Sequence, residues 1–85
     1  MSTYVIERRV ALADVGNLGN ELSSVRSVAA AMTNNGQTLR ILHATYVAAH
    51  QRFQCVVDAE DAAIVLEALR RVGAHTARVL PALTF

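Results

Sequence analysis

From Thr3 to Val10 the side chains divide by the two-residue period of a strand, with Tyr4, Ile6 and Val10 on one side and Val5, Glu7 and Arg9 on the other. Past Asp14 the period changes. Val15, Leu18, Leu22, Val25, Ala29 and Met32 recur at three- and four-residue steps, the stripe of an amphipathic helix, and "NNG" ends it at Gly36, which tolerates the left-handed turn of a helix terminus. Two strand-like runs follow, about Thr38 to Ala48 and Arg52 to Asp58, joined so closely that they must be antiparallel neighbours. Asp58 is then read as the N-cap of a second helix with Ala62, Val65, Leu66, Leu69 and Val72 on one face, closed by Gly73. A last strand is expected near Ala77 to Leu83, where Pro81 places its end at a sheet edge or bulge.

The order β-α-β-β-α-β predicts an α+β, ferredoxin-like fold: a four-stranded antiparallel sheet with two helices on one face, in a single domain over residues 1–85. The other sheet face is left uncovered, and the hairpin loop decides what lies on it. An even-length loop around Ala48 to Gln51 puts Leu42, Ala44 and Tyr46 with Phe53, Cys55 and Val57 under the helices. Ile41, His43, Thr45 and Val47 then share the open face with Arg52, Gln54 and Val56, so that His43 and Cys55 point apart.

Composition changes this picture in one respect. A chain of 85 residues that is 53% hydrophobic has more apolar material than so small an interior can take, and a homodimer interface is the simplest use for the excess. No apolar run is long enough to cross a bilayer and "MSTYVIERR" lacks the order of a signal peptide, so a cytoplasmic protein is expected, with no membrane partner. The basic residues are all arginine, yet the net charge is only +1, which gives no bulk electrostatic case for nucleic acid. The single cysteine has no internal disulfide partner and forms no CxxC clamp.

Candidate chemistry therefore concentrates on the open face. Glu7, His43, Thr45 and Gln54 are the residues that could surround an ion, a water or a small polar ligand there. His43 is available to a metal, an anion or a partner subunit, and Glu7 either joins it as a donor or pairs with Arg9, Arg52 or Arg78. With the first and third strands central, Glu7 and His43 stand two strands apart, roughly 10 Å, which strains joint chelation. Cys55 reads as a small buried hydrophobe and His50 as a solvated turn residue. Other uses of this topology lack their residues. The central run "RFQCVV" has no outward aromatics for base stacking, "ALADVGNLG" has no cysteine for copper transfer, and Ser23, Ser24 and Ser27 have no histidine at a predictable distance. No catalytic residue is assigned.

The segments "YVIERRV", "RFQCVVDAEDAAIV" and "LRRVGAHTARVL" resemble a family of small bacterial nickel-binding proteins with a ferredoxin-like fold, most of whose members have no assigned function. The likeness spans nearly the whole chain on short motifs: Glu7-Arg8, Cys55 ahead of Asp58-Ala59, and Gly73 followed by Arg78-Val79. It implies a dimeric domain and metal binding, without a reaction. Two positions depart from the family's pattern, Leu69 where members often carry histidine and His75 where they often carry proline. The expectation is thus a small binding protein for a divalent transition metal such as nickel, with His43 and Glu7 as donors. The alternatives are a dimeric small-molecule-binding or catalytic domain using the open face, and a protein-interaction module.

Overall fold

The computed structural model describes every residue except His75 and Thr84. Strands β1 (Ser2–Arg9), β2 (Leu39–Val47), β3 (Arg52–Ala59) and β4 (Arg78–Ala82) form one antiparallel sheet in the order β2-β3-β1-β4. Helices α1 (Leu18–Asn34) and α2 (Ala62–Val72) pack on the same side of it. This is the ferredoxin-like α+β arrangement that the alternation of periods predicts. β1 and β3 are the central strands, as that connectivity requires, and Pro81 lies on the edge strand β4, where a missing N–H is tolerated.

The core joins Tyr4 and Ile6 of β1, Cys55 and Val57 of β3, Ala29 and Met32 of α1, and Val65, Ala68 and Leu69 of α2. Met32, Val57 and Val65 are fully enclosed, and each such side chain contributes about 1.5–3 kcal/mol relative to exposure. Both helices close on glycine. Gly36 and Gly73 have φ of 88° and 77°, a left-handed conformation that costs a residue without Cβ nothing.

Three local expectations are corrected. The segment from Leu12 to Asn17 is a 3-10 turn, and the α-helix begins only at Leu18; Gly16, Asn17 and Gly19 in this stretch are poor helix formers. The N-cap of α2 is Asp61, whose Oδ1 accepts the Ile64 N–H at 3.1 Å. Asp58 still belongs to β3 and accepts a hydrogen bond from the Thr3 hydroxyl at 2.7 Å. Starting the helix there shifts its inner face to Ile64, Val65, Ala68 and Leu69, leaving Leu66 55% exposed.

The third correction lies in β2. Ile41 stands opposite Val57 and His43 opposite Val56, so Leu42 is an extra residue in a β-bulge. The bulge changes the phase of the strand midway. Leu39 and Ile41 face the core before it, Ala44 and Tyr46 face the core after it, and Leu42 is exposed. Ile41 is therefore not on the open face and Leu42 is not under the helices.

Candidate functional site

The register of the sheet fixes the open face residue by residue. The hairpin between β2 and β3 closes through Ala48 to His50 and Gln51, an even loop with Val47 opposite Arg52, and Gln51 takes the left-handed conformation at φ 50°. One row across all four strands reads His43, Val56, Val5, Leu80. The next row toward the hairpin reads Thr45, Gln54, Glu7, Arg78, and beyond it come Val47, Arg52 and Arg9. On the other side of the apolar row lie Arg40, Asp58, Thr3 and Ala82.

Glu7 is the one buried charged residue among the described residues, 8% exposed although it lies on the uncovered face. Its partners explain how a carboxylate is held there. Oε1 accepts from Arg52 Nη1 at 3.0 Å and from Arg78 Nη2 at 3.1 Å, and Oε2 accepts from Gln54 Nε2 at 3.4 Å. Two guanidinium groups, 44% and 66% exposed, thus converge on one oxygen and cover it. A buried charge is tolerated when it is paired and hydrogen-bonded. Arg9, which the sequence offers as a third partner, instead donates to Gln51 Oε1 at 3.3 Å. Of the two roles open to Glu7, the structure displays the ion pair.

Three of the four expected ligand residues, Glu7, Thr45 and Gln54, come together in one row. His43 does not join them. It is exposed on the outer strand β2, one row away from Glu7, with β3 between. Among the described residues no group of three or more His, Cys, Asp or Glu side chains is close enough to share a metal ion. His50 is exposed in the hairpin loop, and His75 lies outside the described residues.

Cys55 sits under the helices opposite Ala44, on the side of the sheet away from His43. It is 3% exposed. Burial pushes its thiol up to about 11, against a smaller downward pull from Arg26. It lines a narrow crevice with Ile6, Leu22, Val25 and Phe53, at whose wall Arg8 and Glu21 form an ion pair at 2.5 Å. The crevice leaves about 20 Å³ to water, room for one molecule and not for a ligand. A thiolate nucleophile needs a lowered pKa and access, and Cys55 has neither.

What the sequence reading left out is the apolar row itself. Val5, Val56 and Leu80 become neighbours only through pairing of β1 with both β3 and β4. The available signal was Leu80, which alternation in the last strand places on the same side as Arg78. No helix among the described residues is long and apolar enough to cross a membrane. No protein-family model, curated protein or solved structure gives a significant match to this chain.

Proposed function

We propose that this chain is a small binding protein that works as a homodimer through the open face of its sheet. The observation that carries the proposal is the row Val56, Val5, Leu80, apolar across three adjacent strands and covered by neither helix, with Leu80 37% exposed. A row of this kind is stabilised by a partner that removes it from water. Pairing of the polar groups around it limits the cost of taking them out of water. Glu7 is already neutralised by arginines, and among the described residues no buried side-chain N or O atom lacks a hydrogen-bond partner. The enclosed free thiol suits a reducing cytoplasm, where a dimer of this kind would be placed.

A divalent metal, nickel first, is the second reading, favoured by the exposed His43 at the end of the row and by the resemblance to nickel-binding proteins. Within one chain the donors do not fit such an ion, because Glu7 is engaged by two arginines and His43 stands apart. A second copy has to complete the ligand shell.

Methyl NMR spectra test both readings. On dilution the Val5, Val56 and Leu80 methyl signals should shift while those of the enclosed Val57 and Val65 stay fixed; shifts confined to the helical side overturn the assignment of the face. Nickel bound at His43 should broaden the adjacent Val56 methyls and lose this effect in His43→Ala. Broadening that persists in that variant ends the metal reading at this residue.

A further inference from the structure

We infer that two copies of the open face meet about a two-fold axis running across the strands, along the row His43, Val56, Val5, Leu80, so that the arginine end of each face lies on the acidic end of the other. The inference rests on the self-association reading and adds its geometry.

A homodimer built on one face is isologous, so every residue is matched by the symmetry with a fixed position on the partner. The charges on this face are unevenly placed along the strands. At the hairpin end Arg52 and Arg9 lie side by side. Glu7 and Arg78 offset each other in the next row, and the apolar row follows. At the far end stand Asp58, hydrogen-bonded to Thr3, and Glu60, exposed immediately past β3.

In aligned packing of a sheet on its own copy, the in-plane two-fold axis lies close to one of two directions, along the strands or across them. An axis along the strands, between β1 and β3, keeps the two hairpin ends together and sets Arg52 of each copy over Arg9 of the other, two like-charge contacts at that end of the interface. An axis across the strands sets Arg52 over the Asp58–Glu60 end and folds the apolar row onto its own copy. Arg40, at the acidic end but on the outer strand β2, then lies over Thr45 of the second copy instead of over an arginine. Opposed like charges suppress a docking mode and complementary ends select one. Four strands ~4.8 Å apart and about six residues of ~3.3 Å give a face of roughly 19 by 20 Å, in projection about half of the ~800 Å² per partner of a standard interface, so the contact is a small one in which the placement of a few charges weighs heavily.

Charge reversal separates the two axes, read by sedimentation equilibrium, with circular dichroism reporting the fold. Glu60→Arg, at an exposed position, should weaken the native dimer about tenfold, since two pairs change from attractive to repulsive. Arg52→Glu should weaken it as well. An equimolar mixture of the two variants should recover near-native affinity, because each reversed arginine then meets a reversed glutamate on the other chain. The mixture also separates interface from fold, since the same Arg52→Glu chain, with its altered Glu7 pairing, is present with and without its complement. Tighter association of Arg52→Glu alone overturns the inference, because it signals relief of an Arg52–Arg9 contact and an axis along the strands. A native dimer unaffected by Glu60→Arg, or a mixture no tighter than the separate variants, overturns it too. A native chain that sediments as a monomer instead overturns the self-association reading on which it rests.

Discussion

Replacing Val5 with arginine is expected to leave a folded monomer and to weaken self-association by about 100-fold or more, the effect of placing a cation at the desolvated centre of an interface. Val5 lies on central strand β1 with Val56 on one side and Leu80 on the other, so a charge there interrupts the apolar row at its middle. The fold should tolerate it. Val5 is only half-buried in the single chain, and an arginine on an open sheet face can reach water past its neighbours. Equilibrium urea unfolding at low protein concentration and sedimentation at high concentration distinguish the two effects. Loss of folding at the same concentration at which the native chain is stable would mean that Val5 belongs to the core and not to an interface.

The contribution of Cys55 to stability is expected to be level up to about pH 9 and to fall as the pH rises toward 11. In the unfolded chain its thiol ionises near the ordinary value of 9.0, whereas in the folded chain burial holds the proton until about 11. Between those values unfolding releases a proton, and raising the pH favours it. The stabilisation is complete below the unfolded value and disappears through the folded one, a loss of about 3 kcal/mol for a rise from 9.0 to about 11 at ~1.4 kcal/mol per unit. Cys55→Ala should cost about 1–2 kcal/mol at neutral pH, as removal of one small buried group does, and should remove this part of the alkaline fall. Denaturant titrations of both proteins at pH 7.5 and 10.5 measure the difference free of tyrosine ionisation common to both. Parallel behaviour of the two proteins, or rapid reaction of the native thiol with a maleimide at neutral pH, contradicts an enclosed Cys55.

The features legible in the sequence were those set by local periodicity. Val25, Ala29 and Met32 mark the inner face of α1 by their spacing, and the four-residue hairpin loop placed His43 and Cys55 on opposite sides of the sheet. The features missed were set by competition or by distance along the chain. Asp58, Glu60 and Asp61 all stand near the start of α2, and the choice of Asp61 as cap follows from Thr3 engaging Asp58 across the β1–β3 pair. The bulge left a trace in the adjacent apolar pair Ile41-Leu42, which simple alternation cannot place on one face, but a doublet alone does not say which member turns outward. The Glu7 cluster draws its partners from 45 and 71 residues away. Sequence reading could name Arg52 and Arg78 as candidates, while only register puts both on the same carboxylate oxygen and removes that oxygen from the set of free metal donors.

Sedimentation equilibrium of the unaltered chain, from low to high micromolar concentration, tests the central claim most directly. Association through the open face gives a concentration-dependent approach to twice the chain mass of 9.2 kDa, and a species that remains at 9.2 kDa throughout rules it out.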